Sequence, residues 1–142
     1  MNRILPILFL FLCFGFVSFS TANGQTDGEY ESVRNALRNP GKVIVLDLSG
    51  QRATVLDAQL VECVNMEELI LDGMRLEKIP GWIKGLKNLT DISLSNNKLT
   101  KLPGWIMKLP RLESIDIRGN DISDDEIENI RHRFEDIDFL TD

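Results

Sequence analysis

The chain has 142 residues, of which 16 are lysine or arginine and 22 are aspartate or glutamate, so its formal net charge at pH 7 is −6. This acidic balance argues against nucleic acid and against an anionic membrane surface as partners. The length suits a single domain.

The first 22 residues are expected to be a secretory signal peptide. Arg3 provides a positive start, residues 4–19 form an uncharged apolar run, and small residues follow up to Ala22. Cleavage is expected after Ala22 or Gly24. Because the run is short for a spanning helix, an uncleaved anchor is the less favoured alternative. The sequence therefore predicts a secreted, periplasmic or cell-envelope protein that is free of the membrane after cleavage.

Residues 23–29 have the polar, glycine-containing composition of a short linker. Residues 30–42 follow as a predicted helical cap, because Val33 and Leu37 are four residues apart and would lie on one helical face. The sequence Asn39-Pro40-Gly41 then ends the helix.

A 23-residue period governs residues 43–122. The segments 69–86 and 92–109 coincide at six leucine or isoleucine positions and at their prolines and tryptophans, and the same spacing reaches back to Leu46 and forward to Ile122. Each of the four units contains two apolar residues separated by a single residue, an alternation that is typical of a short strand with one buried face. One unit cannot bury these residues alone, so the units are predicted to stack around a continuous core.

The repeated pattern L-x-x-L-x-L-x-x-N-x-L-x-x-L-P-x-x-I-x-x-L resembles the leucine-rich repeat family, in its short class with a Leu-Pro turn. The resemblance implies an α/β leucine-rich-repeat solenoid: a short horseshoe arc with a parallel sheet on its concave face and helical caps. It also implies that Asn97 and Asn120 are buried and bind backbone groups. Gln51 and Met74 stand at this position in the first two units, so the row of asparagines is expected to be broken at Met74.

Residues 123–142 are predicted to cap the other end of the array. Ser123 and Glu126 have the spacing of a capping box, and apolar residues continue behind them at helical intervals. These apolar residues are Ile127, Ile130 and Phe134. The alternation over residues 137–139 indicates a possible last strand.

No set of residues in the sequence points to catalysis, to a cofactor or to a metal. The single histidine, His132, falls inside the predicted C-terminal helix, where a structural or solvated role is favoured over a catalytic one. Cys63 aligns with buried leucines and is expected to be a small buried apolar residue, with a reactive thiol as the alternative. We therefore expect a protein that is not an enzyme.

The resemblance implies that the residues beside the strand leucines face the concave side, and these are the candidate partner-binding residues. The set is Asp47, Glu68, Ile70, Asp72, Asp91, Ser93, Asp116 and Arg118. One interpretation is an ordinary solvated sheet face. The other is a shallow acidic surface with Ile70 near its centre, suited to a basic or mixed segment of a protein partner. On this second interpretation the chain is an exported, non-catalytic module for protein–protein interaction.

Trp82 and Trp105 lie one period apart and should be neighbours on the turn or convex flank. Either they cover the flank of the solenoid, or they form an exposed aromatic surface for a carbohydrate or a protein. The second possibility gives the alternative function. In that case the chain would be a structural or adhesive cell-envelope protein that binds glycan or associates with itself through this flank.

Overall fold

The computed structural model describes residues 27–133 and 137–142, and within them six parallel strands form one open sheet in chain order. The strands are β1 Glu29–Tyr30, β2 Val45–Asp47, β3 Glu68–Ile70, β4 Asp91–Ser93, β5 Ser114–Asp116 and β6 Asp138–Leu140. The expected signal peptide over residues 1–22, residues 23–26 of the expected linker, and Phe134 lie outside the described residues.

The 23-residue period is the length of one coil of a solenoid. Leu46 pairs with Leu69, Leu69 with Ile92, and Ile92 with Ile115, so equivalent residues of successive repeats lie side by side in the sheet. The sequence prediction of a short repeat solenoid with a parallel sheet is confirmed.

Short turns of 3₁₀ helix bring the chain back from one strand to the next, and two α-helices lie near the ends of the array. The 3₁₀ helices are Pro40–Lys42, Ala53–Val55, Ala58–Glu62, Gly81–Gly85 and Ile106–Lys108, and the α-helices are α1 Val33–Ala36 and α2 Asp124–Arg133. Proline precedes two of these turns, at Pro80 and Pro103, where its fixed φ suits the entry to a helical turn. Among the described residues no helix is both long enough and apolar enough to cross a membrane.

The core is the continuous column of apolar side chains that the repeat predicts. Leu46 and Leu69 are fully buried, and Ile92, which takes the same position in the next coil, is 2% exposed. Leu94, the second apolar residue of its strand segment, is also fully buried. Cys63 is also fully buried. Burial raises the pKa of the Cys63 thiol, and the nearby charge of Glu62 raises it further. A raised pKa disfavours the thiolate, which is the reactive form, so the expected role as a small core residue fits its environment.

Asn97 and Asn120 bind backbone across neighbouring coils, as the resemblance implied. The Asn97 side-chain amide donates to Leu71 O at 2.8 Å and to Leu94 O at 2.9 Å, and its Oδ1 accepts from Leu76 N at 2.9 Å. Asn120 repeats this pattern one coil later, but it is only partly buried, so the expectation of burial holds for Asn97 alone. The side chain at the preceding position, Met74, is 2% exposed and packs in the core, so the asparagine row ends there without leaving a gap.

A column of residues in the left-handed backbone conformation follows the strands, and we call it the turn column; it was not predicted from the sequence. Gly50, Gly73, Asn96 and Gly119 have φ of 68°, 65°, 55° and 65°, and they lie 23 residues apart. Glycine adopts this conformation readily, and asparagine is among the few other residues that tolerate it. The column therefore sets the turn that leaves each strand.

At the N-terminal end the structure departs from the expected linker over residues 23–29, because strand β1 begins at Glu29. The carbonyl of Gly28 accepts from Ile44 N at 2.9 Å and from Val45 N at 3.0 Å. These bonds attach the segment to the edge of the sheet. Within the predicted cap over residues 30–42, α1 is a single turn whose Ser32 hydroxyl accepts from Asn35 N at 3.3 Å.

At the C-terminal end, α2 packs the buried Ile130 against the last coil. The hydroxyl of Ser123 accepts from Glu126 N at 3.4 Å, which is the serine half of the predicted capping box. Strand β6, pairing in parallel with β5, lies at the predicted last strand.

Candidate functional site: the concave face of the sheet

The face of the sheet opposite the core carries two rows of side chains, one at the start and one at the end of each strand. The first row is Glu29, Val45, Glu68, Asp91, Ser114 and Asp138, and the second is Asp47, Ile70, Ser93, Asp116 and Leu140. We call these rows, together with Ser49, Asp72, Ser95 and Arg118 just beyond the strands, the concave face. All eight candidate residues from the sequence lie on it, and their role in binding stays a prediction.

Glu68 lies at the centre of the most acidic part of this face. Partial burial raises the pKa of its carboxyl, and the charges of Asp91, Asp47 and Glu29 raise it further. Carboxylates on neighbouring strands repel each other, so Asp47, Glu68 and Asp91 give β2 to β4 a negative surface, and none of these three is in an ion pair with another described residue.

Two apolar side chains lie within this acidic area. Val45 is the neighbour of Glu68 in the first row, and Ile70 lies between Asp47 and Ser93 in the second row. Both apolar side chains are partly exposed. The area therefore offers small apolar contacts bordered by carboxylates.

Asp72 connects two coils through its carboxylate. Its Oδ1 accepts from the Ser93 hydroxyl at 2.6 Å and from Ser95 N at 2.9 Å. Asp47 makes a local version of this contact and accepts from Ser49 N at 2.8 Å. Asp72 thus stabilises the edge of the face and holds Ser93 in place, a role that the sequence pattern did not reveal.

Asp116 and Arg118 form an ion pair with each other. Arg118 Nε lies 3.0 Å from Asp116 Oδ1, and Arg118 Nη2 lies 2.5 Å from Oδ2. The hydrogen bond to Asp116 raises the pKa of the Arg118 guanidinium, and the Asp116 charge adds to this effect. The two charges neutralise each other at the end of β5, so the C-terminal half of the concave face is less acidic than the half around Glu68.

The tryptophan flank is partly covered. Both Trp82 and Trp105 are partly buried and pack against the core. The ammonium group of Lys84 lies 5.3 Å from the centre of the Trp105 ring, within cation–π distance. These contacts favour the first interpretation of the pair, that the rings cover the side of the solenoid.

His132 lies on α2 with 78% of its side chain exposed, and its Nε2 is 3.8 Å from a carboxylate oxygen of Glu128. This position matches the solvated role expected from the sequence. Among the described residues, no group of three or more histidine, cysteine, aspartate and glutamate side chains is arranged to hold a metal ion.

Comparison with known proteins agrees with this architecture. Residues 64–122 match the family model described as leucine rich repeat. A solved leucine-rich-repeat protein of Leptospira interrogans is similar at 34% sequence identity with a TM-score of 0.61, over 69% of this chain. The match covers 25% of the Leptospira protein, so this chain spans about a quarter of it. Comparison with curated proteins found no match.

Proposed function

The chain belongs to the leucine-rich repeat family, and we propose from this that it is a non-catalytic module that binds another protein through its concave face. Leucine-rich repeat domains commonly bind proteins. Fold alone does not identify a partner. The chemistry of the concave face has to indicate which side chains the partner presents.

The observation that carries the proposal is the environment of Glu68. Burial and three neighbouring carboxylates raise its pKa, which means that the free protein holds this charge at a cost. A lysine or arginine from a partner would lower that cost. Its aliphatic stem would also lie along Ile70 or Val45, since long cationic side chains cover apolar surface while their charged ends stay in contact with polar groups.

The partner segment that fits this surface alternates basic and apolar residues and crosses β2 to β4. The Asp116–Arg118 pair is already neutralised, so it offers such a segment less attraction than Glu68 and Asp91 do. Charge complementarity of this kind mainly raises the association rate and the specificity. Binding should therefore weaken as salt rises, because the Debye length is only about 8 Å at physiological ionic strength.

A peptide of alternating lysine and leucine, labelled for fluorescence anisotropy, is a suitable probe. The variant E68Q/D91N should bind it at least tenfold more weakly than the unaltered protein and with a smaller salt dependence. The matched control D116N/R118Q removes one charge of each sign on the same face and should change the affinity little. Equal affinities for E68Q/D91N and the unaltered protein would contradict the proposal.

The alternative function, a structural or adhesive envelope protein that uses the tryptophan flank, needs free aromatic faces. Trp105 has Lys84 over its ring, and both rings pack on the core. We therefore expect W82A/W105A to leave binding of the lysine–leucine peptide unchanged. Loss of binding in this variant would identify the aromatic flank as the site.

We also propose that the protein is exported, on the strength of the apolar run over residues 4–19 and the small residues that follow it. Mass spectrometry of the protein from its own cells should find a mature chain that starts at Asn23 or Gln25. A full-length chain recovered with the membranes would show instead that residues 1–22 serve as an anchor.

A further inference from the structure

The return legs of the two central coils carry the opposite charge to the concave face. Residues 74–89 and 97–112 contain eight basic residues and one acidic residue, Glu77. The basic residues are Arg75, Lys78, Lys84, Lys87, Lys98, Lys101, Lys108 and Arg111, and all are exposed. Although the whole chain has a net charge of −6, the return legs of these two coils form a strongly basic surface.

Part of this basic surface is regular. Arg52, Arg75 and Lys98 are 23 residues apart and occupy the same position in three successive coils. Lys98 N donates to Leu76 O at 2.8 Å, which places Lys98 beside the backbone that follows Arg75. Lys78 and Lys101 form a second pair with the same 23-residue spacing, three residues after Arg75 and Lys98. We call these five residues the cation column.

No residue of the cation column is in an ion pair within the described part of the chain, and the column ends where Asp121 and Asp124 take the equivalent positions in the next coil. The ion pairs there are Arg118 with Asp116 and His132 with Glu128, and neither pair includes a residue of the column. Adjacent coils are separated by about 4.8 Å at the sheet, so like charges in equivalent positions repel each other. An anionic ligand lying along the column would remove this repulsion.

We propose that the cation column binds a linear acidic polysaccharide with one carboxylate per sugar unit. The ligand has to present one negative charge per coil, about every 4.8 Å. A strand of duplex nucleic acid presents a phosphate about every 3.4 Å along its axis, and an extended acidic peptide presents same-face side chains about every 6.6 Å. A chain of charged sugar rings falls between these spacings. The proposed site is separate from the concave face, so it does not depend on the function proposed above.

The test uses alginate as the acidic polysaccharide, with dextran as the uncharged control. Binding to alginate should be measurable at low salt and should fall steeply as salt rises. In R52Q/R75Q/K98Q the affinity should drop at least tenfold, and the slope of log K against log salt should decrease by about two, if each lost contact removes about 0.7 as it does for single-stranded nucleic acid. Glutamine is shorter than lysine and arginine, but it keeps the first part of the aliphatic stem and a polar end group while removing the charge.

The matched control is K84Q/K87Q/K108Q, which removes three exposed charges from the return legs outside the cation column and should retain alginate binding. Far-ultraviolet circular dichroism and thermal unfolding of both variants establish that they are folded. The proposal is overturned if the two variants lose affinity equally, because binding would then follow net charge alone. Absence of alginate binding at low salt overturns it too. Tighter binding to duplex DNA or to polyglutamate than to alginate would assign the column to that class of polymer instead.

Discussion

Replacing Asn97 with alanine should destabilise the protein far more than a surface asparagine replacement would. Asn97 is 6% exposed and makes hydrogen bonds to four backbone groups. Two of these groups keep another partner in the variant: Leu94 O still accepts from Asn120, and Ser95 O still accepts from Gly73 N. The other two, Leu76 N and Leu71 O, lose the bond to Asn97 without a recorded replacement among the described residues.

The expected magnitude follows from these two groups. A buried donor or acceptor left without a partner costs roughly 1–3 kcal/mol. Water entering the space vacated by the side chain would satisfy part of this requirement, so we expect a loss of about 2–4 kcal/mol. For a domain of this size that corresponds to a fall in melting temperature of roughly 10–20 °C.

Thermal and urea unfolding followed by circular dichroism would measure this loss, and Asn88→Ala is the matched control. The Asn88 side chain also bridges coils, donating to Val64 O at 2.8 Å and accepting from Arg111 at 2.9 Å, but these bonds are solvent-exposed. Its removal should cost about 1 kcal/mol. Equal losses for the two variants would refute the argument that burial of the backbone groups around Asn97 sets the magnitude.

Three further perturbations test other parts of the fold. Leu94→Ala empties a fully buried site and should cost about 2–5 kcal/mol in urea unfolding; an unchanged midpoint would contradict the core assignment. Gly73→Ala places a Cβ at φ 65° and should cost about 1–2 kcal/mol, whereas Gly81→Ala, where φ is not positive and the space is open, should not. Glu68→Gln should raise the melting temperature at pH 7, because burial and nearby carboxylates raise the pKa of Glu68 and its charged form destabilises the fold. This gain should fade as the pH falls through the raised pKa and vanish below the ordinary glutamate value of 4.5, and a gain that grows on acidification would refute it.

The core and the asparagine row could be predicted from the sequence because the repeat supplies its own alignment. Once two repeats are aligned, equivalent residues are expected to have the same surroundings. The burial expected of Leu69 and Ile92 therefore extends to Leu46 and Ile115. The turn column could have been found in the same way, since Gly50, Gly73 and Gly119 share a spacing of 23 with Asn96. The repeated spacing was visible in the sequence, but it was not recognised because Asn96 replaces glycine in one of the four coils.

Features that depend on one particular coil were not predictable in this way. Strand β1 has only two residues and no alternating pattern, and it is held by the backbone bonds between Gly28 and β2. The ion pair of Asp116 with Arg118 has no equivalent in the other coils, where Ser93 and Ser95 or Ile70 and Asp72 stand at the same two positions. Alignment could place these two residues on the concave face, but only the structure shows that their charges cancel.

The coil geometry also explains how an acidic protein can carry a basic surface. Each column of the repeat faces one direction, so acidic residues in the strand columns and basic residues in the return legs are sorted onto different faces. Exposed charges farther apart than the Debye length, about 8 Å in physiological salt, interact weakly. At physiological ionic strength, neutralising Glu68 and Asp91 should therefore leave alginate binding intact, and neutralising Arg52, Arg75 and Lys98 should leave binding of the lysine–leucine peptide intact. If either set of substitutions alters both affinities in proportion, the protein acts through its total charge and the division into two surfaces is wrong.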